Sequence, residues 1–129
     1  MTRQLISSGG PWEQAAGYSR AVRIGDRVEV AGTVATGPDG AIVAPGDAYA
    51  QTLHIFETIE RALAEAGATL ADVVRTRSFI TDIGQADGFT RAHGELFADI
   101  RPVATLVEVS GLLGEGSVIE IEAVAVIDT

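Results

Sequence analysis

Residues 51–83, "QTLHIFETIERALAEAGATLADVVRTRSFITDI", change their hydrophobic period partway along, and that change sets the fold class. From Asp47 to Ala66 the apolar residues recur at Leu53, Phe56, Ile59, Leu63 and Ala66, with Ile55 and Ala62 widening the stripe. This is the spacing of an amphipathic helix that turns one face to a core. Gly67 follows as its C-terminal cap. Beyond it, "ADVVRTRSFITDI" (71–83) is rich in β-branched residues and reads as a long strand.

Upstream, Tyr18–Ile24 and Arg27–Val30 flank the pair Gly25-Asp26, a hairpin signal. "TGPDGAIV" (36–43) supplies a second turn through Pro38, Asp39 and Gly40. Downstream, "GQADGFTRAHGELFADI" (84–100) predicts a second helix, with Phe89, Ala92, Leu96 and Phe97 inward and Pro102 closing it. Strands over Thr105–Val109 and Val118–Ile127 finish the chain, and the glycine-rich "SGLLGEGS" (110–117) between them reads as a hairpin loop. Hairpin, helix, strand, helix and two strands make one α+β domain over residues 1–129, with two helices on one face of a mixed sheet. The last strand carries Ile119, Ile121, Ala123, Ala125 and Ile127 on one side, and Glu120, Glu122, Val124 and Val126 on the other. Both sides are partly apolar, so a two-layer monomer leaves one of them wet, and an oligomer is expected.

Composition removes several chemistries. The chain has no cysteine, so thiolate nucleophiles, thiolate metal sites and disulfides are excluded. All nine basic residues are arginine; without lysine there is neither a Schiff-base mechanism nor a Walker-type phosphate lysine. A formal charge of −9 repels phosphate backbones, which makes nucleic acid an unfavoured partner. No apolar run approaches the length of a membrane span and no secretory leader is recognisable, so a cytoplasmic location is expected by default.

Few residues stand out as chemical. His54 and His93 both fall within the helices, with no second ligand at metal-binding spacing, so structural roles and no metal site are expected. Arg75 and Arg77 share one side of their strand, fit either to clamp a carboxylate or to pair with acidic neighbours. Glu120, in "SVIEIEAVAV", is a carboxylate within an apolar strand. Burial would raise its pKa toward general acid–base use; pairing with an arginine or exposure on a wet face is the structural alternative, and Glu108 and Glu122 share it.

The chain resembles the Rid family, also called YjgF or L-PSP. The likeness is carried by "GYSRAVRIGDRVEVAG" (17–32), by residues 51–83, and by "RPVATLVEV" (101–109) and "VIEIEAVAV" (118–126). It implies a chorismate-mutase-like fold and a homotrimer whose sheets line a central barrel, with small-metabolite clefts between subunits and no cofactor. RidA-type members hydrolyse imines and enamines to 2-oxo acids and ammonia. Their pattern at the mouth of this strand, P-x-R-[ST]-x-V-x-V, carries an arginine that holds the substrate carboxylate. Here Pro102, Thr105, Val107 and Val109 match, and Ala104 stands in the arginine's place. Alanine offers no side-chain donor.

By the same resemblance Tyr18, Ala31, Gly32 and Thr105 line the cleft and Glu120 positions a water. Arg91 falls near a cleft position, and Arg91 or Arg101 is a candidate to restore the cation for deaminase-like activity. Trp12 either caps the cleft or packs in the core. The expectation is thus a metabolite-binding trimer with hydrolytic capacity, distinct from RidA-type imine deaminases. A non-catalytic binding trimer is the alternative, and ribonuclease activity is disfavoured by charge.

Overall fold

The computed structural model describes residues 2–128. Its elements are β1 (Arg3–Ile6), α1 (Pro11–Ala16), β2 (Ala21–Ile24), β3 (Arg27–Thr33), α2 (Ala48–Glu65), β4 (Val73–Ile80), α3 (Ala86–Phe97), β5 (Val103–Glu108) and β6 (Ile119–Val126). The six strands form one sheet in the order β1-β2-β3-β6-β4-β5. Every neighbouring pair is antiparallel except β4 with β5, which is parallel. This is the α+β architecture expected, with helices α2 and α3 on one face of a mixed sheet.

Helix α2 begins where Asp47 accepts a hydrogen bond from the Ala50 N–H at 3.1 Å, satisfying a donor that the first turn leaves free. It ends before Gly67, whose φ of +86° turns the chain out of the helix. Ile55, Phe56, Ile59 and Leu63 are fully buried from this helix. They meet Val28, Val30, Ile119, Ile121, Ala123 and Ala125 of the central strands in one core. Each large apolar side chain buried this way stabilises the fold by roughly 1.5–3 kcal/mol. Helix α3 joins through Phe97, whose ring meets Phe56 edge-on at 5.0 Å between centroids.

Two features depart from the sequence reading. The chain begins with a strand and a short helix, β1 and α1, that the apolar spacing did not reveal: β1 spans four residues and α1 six, too few for a period to register. The second is topological. Residues 110–117 do not close a hairpin, because β6 leaves β5 and inserts between β3 and β4. The physical reason is burial: β6 alternates buried and half-buried residues along its length and belongs in the middle of the sheet. Strand β5 is mostly exposed and sits at the edge.

Candidate functional site

The alternation of β6 places Ile119, Ile121, Ala123 and Ala125 under the helices and turns Glu120, Glu122, Val124 and Val126 to the open face. Register then fixes their neighbours across the sheet. Glu120 lies opposite Phe79, which lies opposite Val107; Glu122 lies opposite Arg77, which lies opposite Thr105. Arg77 Nε reaches Glu122 Oε1 at 3.1 Å, so this carboxylate is paired. Glu108 is also engaged, its Oε2 accepting the Ile83 N–H at 2.9 Å. Glu120 has neither kind of partner. It is half-buried in a row of apolar side chains.

On its other flank is β3, whose pairing with β6 slips between Val30 and Thr33, so that one extra residue is accommodated as a bulge. Gly32 lies in this bulge, and the Glu120 carboxyl lies directly over it. A Cβ on residue 32 would sit 3.1 Å from Glu120 Cδ and closer still to Oε2. The φ of Gly32 lies outside the left-handed region, so this glycine serves close approach rather than a turn. Burial raises the pKa of Glu120 above the ordinary 4.5; the Arg20 charge opposes that rise and the nearby Glu122 adds to it.

This shift has a sign in the stability of the fold. A carboxyl whose pKa is raised on folding contributes its full stability below the unfolded value near 4.5 and loses it as pH rises through the folded value. Thermal melts of wild-type and Glu120→Gln protein between pH 4 and 8 are therefore expected to diverge, the variant gaining relative stability with rising pH. Parallel curves would mean that Glu120 is solvated.

Beside this carboxylate the open face dips into a concavity of about 600 Å³, lined in part by Tyr18, Ala31, Arg75, Arg77 and Glu122. Tyr18 and Ala31 thus share one hollow, and Gly32 and Glu120 touch at the neighbouring bulge. The remaining residues of the expected site lie elsewhere in the chain. Thr105 faces the open side from the edge strand. Ala104 falls on the opposite side of β5, in register with Thr76, which is buried under α3. Arg91 stacks on the Tyr49 ring at 3.8 Å, on the helical layer, and Arg101 is exposed in the turn before β5 with a φ of +56°. Trp12 is 66% exposed on α1, so it is not a core residue.

Neither histidine is idle. His54 Nε2 bonds the Thr36 carbonyl oxygen at 2.9 Å. His93 Nε2 bonds Thr76 Oγ1 at 2.8 Å between the rings of Phe56, Phe89 and Phe97, and burial there lowers its pKa. Among the described residues no three of His, Asp or Glu gather as a metal ion would require. No helix among them is long and apolar enough to cross a membrane.

One residue of the site escaped the sequence reading. Arg20 precedes β2 and reaches over the bulge, its Nη1 donating to Thr33 Oγ1 at 3.3 Å and its guanidinium 5.6 Å from the Tyr18 ring centroid. The signal available was its place in "YSRAV", a charged side chain between an aromatic and two apolar strand residues.

A six-stranded mixed sheet backed by two helices on one face is the fold expected of the Rid type. The profile of the family described as Endoribonuclease L-PSP matches residues 11–127, and the chain belongs to that family. Its fold superimposes with a TM-score of 0.89 on the crystal structure of Rv2704 from Mycobacterium tuberculosis, a member of the YjgF/YER057c/UK114 family. That structure is 48% identical, with 98% of this chain and 100% of the other covered. The Streptomyces coelicolor protein SCO2049 is 42% identical over 93% of this chain and 89% of its own length. The 3-aminoacrylate deaminase RutC of Acinetobacter baylyi is 33% identical over 97% and 98%.

Proposed function

We propose that this chain is a small-molecule hydrolase in which Glu120 orients and deprotonates the attacking water, and that it does not use the carboxylate anchor of RidA-type imine deaminases. The observation that carries the reading is the seat of Glu120: half-buried, unpaired and laid over the one residue type that leaves room for it. A carboxyl with a raised pKa holds and releases a proton closer to neutral pH, where a general base works best. Water hydrogen-bonded to it would attack an electrophilic carbon, pass its proton to the carboxylate, and the same proton would leave with the departing amine. The relative named a 3-aminoacrylate deaminase supports hydrolytic removal of an amino group as the class of reaction.

Tyr18, Ala31 and Gly32 form the wall beside Glu120 in this reading, with Thr105 and position 104 supplied across the boundary with a neighbouring copy, since one chain holds them on separate parts of the sheet. Ala104 supplies no donor to that cleft, which also favours a second reading, a trimer that binds a metabolite without converting it. Ribonuclease chemistry fits poorly with a charge of −9.

The two readings separate on turnover. Assayed across imines, amides and carbamates, the wild-type protein is expected to convert at least one compound, and Glu120→Gln to lower that rate about 100-fold. Ligands that raise the melting temperature yet are never converted would support binding alone. Equal rates on a confirmed substrate would remove Glu120 from the mechanism.

A further inference from the structure

Phe89, His93 and Phe97 follow one another at helical spacing along α3, and His93 is the polar member of the row. Its ring is held on three sides. The Phe97 centroid lies 4.7 Å away, that of Phe89 5.2 Å and that of Phe56, from α2, 5.8 Å. Nε2 is taken by Thr76 Oγ1 at 2.8 Å, and Thr76 is fully buried on β4. Three rings and one hydrogen bond fix the plane of the imidazole in advance of any ligand.

Nδ1 is left without a task. No group among the described residues bonds it, yet it is not one of the buried side-chain atoms that lack a partner. In this half-buried residue it is therefore open to solvent. Register fixes its place. Thr76 and Ala104 are partners across the parallel β4–β5 pair and face the same side, so His93, bonded to Thr76, lies beside residue 104. Strand β5 is the sheet edge, and Ala104 is exposed there although α3 lies over that side. A methyl group at 104 leaves the imidazole uncovered. The groups packed on the ring are uncharged: Phe56 from α2, Phe89 and Phe97 from α3 and Thr76 from β4. Burial is the one cause that moves its pKa, and it moves it downward, so the ring is neutral at neutral pH.

We propose that His93 is the recognition group at the residue-104 wall of the cleft and selects ligands that present an uncharged amide-type group there, such as a carboxamide or a carbamoyl group. The Thr76 hydroxyl can donate to Nε2 or accept from it, so the bond between them suits either neutral tautomer. Nδ1 then donates to the ligand carbonyl in one tautomer and accepts from the ligand N–H in the other. An amide offers both partners on adjacent atoms. A carboxylate meets no cation at this wall, and gives up its hydration for at most one neutral donor. Ligand choice is thus set by a helix residue behind the edge strand, where RidA-type members use a charged residue on the strand itself. The inference rests on the cleft reading above, in which residue 104 borders the ligand; conversion by Glu120 is a separate property.

The full-length protein, with its histidine ring nitrogens isotopically labelled, is titrated at pH 8 with butanamide and with butanoate and followed by NMR. The chain has two histidines, and His54→Gln assigns the spectrum. Butanamide is expected to move the His93 Nδ1 resonance saturably and to leave His54 unmoved, with butanoate binding about ten-fold or more weaker. His93→Phe keeps an aromatic ring and removes the hydrogen bond, so its affinity for butanamide should fall about ten-fold, read from the backbone amides of Ala104 and Thr105. Ala104→Leu should abolish the His93 shift, because the longer side chain covers the imidazole. No His93 shift with butanamide overturns the proposal, and so does butanoate binding as tightly. An unchanged affinity in His93→Phe overturns it too; if that variant does not fold, a shift that persists in Ala104→Leu does so. A saturable His93 shift alongside undiminished turnover in Glu120→Gln would keep the recognition and remove the hydrolase reading. Glu120-dependent turnover of an amide that leaves His93 unmoved would do the reverse.

Discussion

Restoring an arginine at residue 104 is expected to raise kcat/KM for 2-iminopropionate about thirty-fold or more over the wild type. The wild-type methyl makes no polar contact, and a guanidinium there gains two charge-assisted hydrogen bonds to the substrate carboxylate. Such a pair, once desolvated, is worth on the order of 2–5 kcal/mol, which corresponds to roughly thirty- to several-thousand-fold. Ala104 is exposed on an edge strand, so Ala104→Arg should fold with a stability change within about 0.5 kcal/mol. Pyruvate release, coupled to lactate dehydrogenase and NADH, reads the outcome. A wild-type protein already as fast as its Ala104→Arg variant would show that residue 104 has no part in substrate choice.

Gly32→Ala is expected to cost about as much turnover as removing Glu120 itself, on the order of 100-fold, while moving the unfolding free energy by about 1 kcal/mol or less. The added methyl needs the space that the Glu120 carboxyl occupies. The backbone accepts alanine because Gly32 does not have a positive φ, and the displaced group is the end of a flexible side chain, so the fold adapts cheaply. Catalysis does not adapt in the same way: a reacting group misplaced by about 1 Å loses on the order of 100-fold. Parallel urea melts and rate assays on the substrate identified for the wild type separate these effects. Full activity in Gly32→Ala would mean that the carboxylate works from another position, or not at all.

Both outcomes trace to what the chain reveals locally and what it hides. The α2 stripe from Leu53 to Ala66 is periodic over nearly four turns, and Asp47 and Gly67 mark its ends, so the helix was legible. So was β6, whose alternation predicted two differently covered faces. Strand β1 was not, since four residues carry no usable period and its partner is β2. The placement of β6 was not legible either: choosing β3 and β4 over β5 is a long-range decision made by burial.

The site divides along the same line. Glu120 was visible because a carboxylate in an apolar strand is anomalous by itself. Its contact with Gly32 exists only because β3 and β6 pair with a bulge, which no local spacing records. Arg20 was overlooked for that reason. Its contacts, with Thr33 and the Tyr18 ring, are made across the bulge and belong to no motif around it.

The seat of Glu120 is open to direct titration. With the side-chain carboxyl carbon of Glu120 labelled and assigned by NMR, its midpoint in the wild type should lie above the ordinary 4.5, and in Gly32→Ala should fall back toward it as the group swings to solvent. A midpoint near 4.5 that ignores residue 32 would contradict the account.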